Sequence, residues 1–360
     1  MRQPSGPFVW GVLPILPARN QGRTFGLHPL MGSLRTLFDS DKRLATLPNI
    51  GPLIQPLTKA QYGNNSFPRP SRLFSHNDQQ NTWQALGPEG SSIGWAGLMG
   101  DLVAAQNGRP AFTAISASGN AVWLAGNTVK QYQVNTSGAV AMGVNGSGQV
   151  YGSADVGAAL HRIASSSRSS HPFDADVAAV ARRSIDAEAL LRTALRAPSD
   201  AAFGTPVSGN YNPANDPKLR YLNPLNGAQA ANGLAQQFQV VARLIDAGLR
   251  GVTQARRQVF FVSLGALTWG AHHLVMGGAV RGGDLYGRFP TLAPKNTHNN
   301  NFDGSPDQIG NGSLLPQTSV DQLGYTLGSW FGLSPTQLLG IFPNLANFNA
   351  SDHNLGFLNA

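Results

Sequence analysis

Val259-Phe260-Phe261-Val262-Ser263-Leu264-Gly265-Ala266-Leu267-Thr268-Trp269-Gly270-Ala271-His272-His273-Leu274-Val275-Met276 is the stretch on which the fold turns. Its first six residues form a near-continuous apolar run behind a long amphipathic segment. That pattern reads as a buried strand of an α/β sheet. Leu274-Val275-Met276 reads as the next strand. Only nine residues, Gly265 to His273, separate the two runs. A crossover between parallel neighbours needs about a dozen or more. The spacing therefore predicts either a hairpin or a block missing from the usual arrangement.

Working outward, the segment before the run predicts a helix over 229–249. Leu234, Phe238, Val241, Ile245 and Leu249 recur at helical spacing, and Gly248 and Gly251 mark its end. A second helix is predicted over 175–196, with Val177, Val180, Ala187, Leu191 and Ala194 on one stripe. A polar loop, 208–226, joins the two helices, and a Gly/Ser/Asn-rich linker, 143–153, precedes them. Strand signals fall at Phe112–Ser116, Ala121–Ala125 and Val129–Val134. Helices are predicted over 75–86 and 94–106. Residues 1–70 are punctuated by proline, with a short helix near 31–39 and a strand near 44–50. Beyond the opening stretch, 293–312 reads as an exposed loop, followed by a helix over 320–331 started by Thr318-Ser319-Val320-Asp321 and another over 335–342 with Pro335 at its first position. The fold class this predicts is α/β, with a mainly parallel sheet flanked by helices. Its strands are 44–50, 112–116, 259–264 and 274–276, and residues 155–250 form a helical flank. No internal repeat at a fixed period is present.

The composition suits a globular chain. Hydrophobic residues make up 41% and charged residues only 12%, against a usual charged share of about 25%. Cysteine is absent, which excludes disulfides, thiolate metal sites and cysteine nucleophiles. The net charge of +8 is carried by scattered arginines, the tightest pairs being Arg182–Arg183 and Arg256–Arg257. No basic stripe interleaves with aromatics, so nucleic acid is not an expected partner. No apolar run is long enough to span a membrane. Pro14 and Pro17 break the N-terminal apolar stretch, so it is a poor signal peptide, and a cytoplasmic location is expected.

Few motifs carry chemistry. Gly90-Ser91-Ser92-Ile93-Gly94 has the spacing of a nucleophile elbow but no strand before it. Gly277 to Gly283 has the glycines to cradle an anion on backbone amides, but reads first as a tight glycine loop. Ser75-His76-Asn77-Asp78 sets a hydroxyl, an imidazole and a carboxylate at a helix start. Ser75 suits an N-cap. It also suits a nucleophile whose phosphoryl or sulfuryl ester the helix terminus would stabilise. His272-His273 are adjacent on a strand, so their side chains leave opposite faces and rarely share one metal.

Leu73-Phe74-Ser75-His76-Asn77-Asp78-Gln79-Gln80 resembles a signature of the bacterial domain-of-unknown-function family one-five-zero-one. That family is sulfatase-like and allied to the alkaline phosphatase superfamily. Gly22 to Pro29, Asn49 to Pro56, His272 to Pro290, Thr318-Ser319-Val320-Asp321 and Phe342-Pro343-Asn344 extend the resemblance over about 22–349. It implies a single sulfatase-like domain over 22–349, a divergent segment before it and a tail over 350–360. The family's twin-arginine export signal and its Gly-Gly-Asn-Asp strand do not precede Gly22. Its Asp-Thr-His, Ser-Asp/Glu-Phe-Gly-Arg and Asp-His-Gly segments are also missing. The resemblance therefore implies a member truncated at its start and deleted internally near 265–270, with an incomplete core.

In that superfamily, strand-end acids and histidines hold divalent metals that activate a hydroxyl nucleophile. What carries over is Ser75, His76 and Asp78 as a catalytic set and His272 and His273 as metal ligands. The expectation is a degenerate, catalytically impaired protein that acts at most as a binding scaffold. No cofactor is expected beyond zinc, manganese or calcium if a site survives. The alternative is a metal-dependent hydrolase of phosphate or sulfate esters. Self-association through uncovered sheet edges is the expected liability, and full-length relatives are expected to be exported.

Overall fold

The computed structural model describes residues 11–145, 147–167, 170–223, 226–264 and 269–359. The deletion expected near 265–270 falls mostly on residues 265–268, which lie outside the described residues. The chain divides into two compact units, one formed by 1–95 with 266–360 and the other by 96–265.

The first unit begins with β1 (Leu13–Ile15), β2 (Phe25–Leu27), α1 (Gly32–Asp39), β3 (Leu44–Gly51), α2 (Lys59–Tyr62) and α3 (His76–Ala85). The second contains α4 (Trp95–Val103), β4 (Ala114–Ser116), β5 (Tyr132–Asn135), β6 (Gly138–Ala139), α5 (Ala154–Ala164) and α6 (Pro172–Ala194). It closes with β7 (Arg220–Leu222), β8 (Gln229–Ala231), α7 (Gly233–Leu249) and β9 (Val259–Phe261). The chain then returns to the first unit with β10 (Ala271–Met276), β11 (Thr318–Ser319), α8 (Val320–Phe331) and α9 (Pro335–Ile341). This is a mixed α/β architecture. No helix among the described residues is long and apolar enough to cross a membrane.

The four strands expected in one mainly parallel sheet belong to two sheets. In the first unit β3 lies between β10 and β11, antiparallel to β10 and parallel to β11. In the second unit the order is β6-β5-β4-β9, with β5, β4 and β9 parallel and β6 antiparallel to β5. The nine residues between the two apolar runs thus join strands of different sheets. Their spacing requires neither a hairpin nor a crossover between neighbours.

β3 is buried along almost its whole length, as a central strand should be. Its register with β10 breaks where Pro48-Asn49 stand opposite the single residue His272. Such a bulge tolerates a proline that cannot donate to the ladder. Asn49 takes φ 54°, a left-handed value that asparagine accepts more readily than most residues. In the same unit, Leu53, Leu57, Trp269, Ile309 and Leu315 form one apolar cluster, and the Trp269 indole donates to the Pro52 carbonyl at 2.9 Å.

In the second unit α6 and α7 supply Ala187, Leu191, Val240, Val241 and Leu244 to a core with Phe112, Ile115, Tyr132 and Val134. The helical flank expected over 155–250 therefore packs on a sheet. Of the apolar stripe expected on α7, only Val241 is buried. Phe238, Ile245 and Leu249 are 53%, 43% and 85% exposed, while Val240, Val241, Leu244 and Ala247 are buried. α7 carries two apolar stripes, and periodicity alone does not say which one meets the sheet. Residues 229–231, expected as helix, form the second strand of a hairpin with β7, and Asn232 caps α7 by accepting from Leu234 and Ala235. Ala121–Ala125, expected as a strand, contains a short 3-10 turn at Val122–Leu124.

The loop 293–312, expected to be exposed, is buried over Ser305 and Asp307 to Ile309. Asp307 anchors it, accepting from Arg288 at 2.5 Å, from the Thr291 amide at 2.6 Å and from Gln317 at 3.1 Å. Residues 350–359 also pack into the first unit, with Phe357 wholly enclosed and the Asn359 amide bonded to the Ala279 carbonyl.

α8 closes against the C-terminal segment through Gly324. A Cβ there would lie 2.2 Å from Cζ of the wholly buried Phe342. Gly324→Ala is expected to lower stability by about 1–3 kcal/mol through overpacking, outweighing alanine's better helix propensity of about 1 kcal/mol. The urea midpoint measures it, and an unchanged midpoint would show that Phe342 yields freely.

Candidate functional site

All five residues singled out from the sequence lie in the first unit. Ser75 is the N-cap of α3, its Oγ accepting from the Asp78 amide at 3.4 Å. The turn before it places Arg72 and Phe74 at φ 50° and 73°. Asp78 is 3% exposed. Its Oδ1 accepts from the Glu89 amide at 2.9 Å and lies 3.9 Å from Arg72 Nη1. The Glu89 N–H, the Ser75 hydroxyl and the Arg72 charge together hold its carboxyl below the usual carboxylate range. Asn77 donates to the Glu89 carboxylate at 3.0 Å, so the start of α3 clamps the following loop from two sides. His76 is exposed. Gly90 to Gly94 is turn and coil with no strand before it, so it does not form a nucleophile elbow.

His272 is the residue opposite the β3 bulge. Its Nδ1 accepts from the Asn49 amide at 3.0 Å, and its ring stacks on Phe289 at 4.8 Å. That bond leaves the proton of the neutral ring on Nε2. Burial pushes its pKa below the ordinary value. His273 faces the other way. Its ring centroid lies 4.9 Å from that of Trp83 on α3, and its Nε2 is enclosed without a hydrogen-bond partner. Burial first, then the neighbouring His272, pushes its pKa down to about 4, so it is neutral at pH 7.

Among the described residues, no hydrogen bond links Ser75 or Asp78 to either histidine, and no three His, Asp or Glu side chains gather as metal ligands. The two histidines therefore do not fit a divalent metal as a pair. One has its Nδ1 engaged by the backbone, and the other is packed against an indole on the opposite face.

The structure adds a buried acid that stands in the sequence within the motif Thr318-Ser319-Val320-Asp321. Asp321, in the first turn of α8, is 1% exposed. Its Oδ2 accepts from the Ser319 hydroxyl at 2.9 Å and its Oδ1 from the Asn344 amide at 3.2 Å. Burial raises its pKa to about 6 against the opposing effect of those two hydrogen bonds. It borders a cavity of about 250 Å³, together with Arg69, Ser71, Thr82 and Asn344. The sequence signal was present, since Ser319 and Gln322 form a capping box. That motif marks a helix start and carries no information about burial.

Compared with family models, with curated proteins and with solved structures, the chain matches none.

Proposed function

We propose that this chain is a sulfatase-like α/β protein without hydrolase chemistry, acting as a binding scaffold. One observation carries the reading: Ser75, Asp78 and His272 already spend polar atoms on backbone amides of the fold, while His76 is exposed and the His273 Nε2 is enclosed without a partner. The Ser75 Oγ caps α3, Asp78 holds the Glu89 amide, His272 holds the Asn49 amide, and His273 is sealed against Trp83. A nucleophile needs a competent base, whereas the carboxylate beside Ser75, Asp78, is held below the usual range and engaged by the Glu89 amide, and a metal needs several converging donors. The family assignment rests on the motifs of the sequence. The mixed α/β architecture is compatible with it, and the sulfatase-like topology is part of the proposal.

A second reading, ester hydrolysis, has its own support. A carboxyl with a pKa of about 6 beside a cavity is the kind of group used for proton transfer. Thr82 of α3, the helix that Ser75 caps, borders the same cavity.

Metal content after dialysis, with hydrolysis of aryl phosphate and aryl sulfate esters, separates the two. The scaffold reading expects less than one zinc, manganese or calcium per chain and no turnover above that of the Ser75→Ala variant. The substitution itself is expected to cost about 1 kcal/mol of stability through loss of the cap. Stoichiometric metal, or turnover abolished by Ser75→Ala or Asp321→Asn in a folded protein, would overturn the scaffold reading.

A further inference from the structure

The second unit holds a cavity of about 420 Å³ beside β6, α6 and α7, the size of a metabolite site. Asn135, Ser137, Gly138, Glu188, Arg192 and Arg243 are among the residues around it. Arg243 lies on the buried face of α7 and is only 4% exposed. Its Nε donates to the Arg196 carbonyl at 2.7 Å and its Nη1 to the Ser137 carbonyl at 3.1 Å. A guanidinium has five N–H groups, so both protons of Nη2 and one of Nη1 remain. Gly138 lies in front of that edge. A Cβ on it would be 3.9 Å from Nη2 and 4.0 Å from Nη1. A glycine there keeps the fork open.

The charge of Arg243 is also unbalanced. Among the described residues, no carboxylate comes within 4.0 Å of it. The acids nearby have other partners. Glu188 pairs with Arg192 at 3.1 Å, Asp246 with Arg250 at 2.8 Å, and Asp216 accepts from Tyr211 and Thr205. Buried charges are ordinarily paired, because an unpaired one is costly to desolvate. Two carbonyl dipoles only partly replace the water that Arg243 gives up.

We propose that this cavity is a binding site for a small molecule bearing a carboxylate or phosphate group, which the free edge of Arg243 grips in bidentate fashion. A planar guanidinium fork matches two oxyanion oxygens, a geometry that lysine does not offer. Glu188 sits on the cavity wall and gives the site mixed charge, which disfavours highly charged polyanions. The site is lined by residues of the second unit alone, and Ser75 belongs to the first, so the inference stands whether or not Ser75 is inert.

Acetate, butyrate and inorganic phosphate, titrated against the full chain with chloride at matched ionic strength, test it. The expected result is saturable binding of the carboxylates, of phosphate or of both, by calorimetry or ligand-observed NMR, with chloride giving none. Whichever anion binds identifies the headgroup. Arg243→Lys is expected to weaken binding about tenfold or more, and Arg243→Gln to remove it. Should either variant fail to fold, phenylglyoxal labelling of the wild type read by mass spectrometry replaces it, with the bound anion protecting Arg243. Absence of saturable binding by all three anions overturns the proposal. So does binding unchanged in Arg243→Gln, or labelling of Arg243 unaffected by the anion.

Discussion

Asp321→Asn is expected to make the protein more stable than wild type at pH 7.5 and to flatten its stability between pH 4 and 7. The native carboxyl titrates near 6, above the ordinary 3.8, because burial outweighs its bonds to Ser319 and Asn344. The folded state therefore holds the proton more tightly than the unfolded chain. The stabilisation from that proton is complete below pH 4 and is lost as the pH rises through about 6. The difference corresponds to about 3 kcal/mol. The helix terminus works against this by favouring the anion, but an effect of about 0.3–1 kcal/mol does not reverse it. Asparagine keeps the shape and an acceptor for Ser319 while removing the charge. Urea denaturation at a series of pH values measures the outcome. A variant with the same pH slope as wild type would mean that Asp321 titrates normally and that water reaches it.

The second large effect is the contrast between Leu244→Ala and Phe238→Ala on α7. Leu244 is wholly buried against Val240 and the strands of the second unit, and its truncation is expected to cost about 2–5 kcal/mol. Phe238 is half exposed, and the same truncation there is expected to cost about 1 kcal/mol or less. Thermal or chemical melts of the two variants decide which apolar stripe faces the sheet. Equal losses would restore the stripe read from the sequence, which runs through Phe238.

That contrast also shows where sequence reading stops. The start of α3 at Ser75, the start of α8 at Ser319 and the proline-led start of α9 were legible, because capping chemistry is local. Strand β3 was legible from its apolar run. The assignment of strands to sheets was not, because pairing depends on partners far along the chain. Leu274-Val275-Met276 looks like any apolar strand, and nothing in it says that its neighbour is β3 and not β9. Ser75, His76, Asp78, His272 and His273 were the right residue types for chemistry, but the engagement of Ser75, Asp78 and His272 with backbone amides, and the packing of His273 on Trp83, appear only in three dimensions. Asp321 and Arg243 escaped for the opposite reason. A single acid in a capping box and one arginine on a helix look like surface residues until their burial is known.

The division of the first unit around the second sets a timetable for synthesis. β3 leaves the ribosome early, yet β10, its antiparallel partner, begins about 220 residues later, roughly 10–45 s at ordinary elongation rates of about 5–20 residues per second. Throughout that interval β3 lacks both of its neighbouring strands, and only Leu44 has an apolar cluster, with Ile15 and Phe38, already synthesised to cover it. The second unit, by contrast, is contiguous and can condense while still tethered. A nascent chain stalled before residue 271 therefore displays a sticky, unpaired strand beside a finished domain, which makes it a natural client for chaperones that bind extended apolar segments.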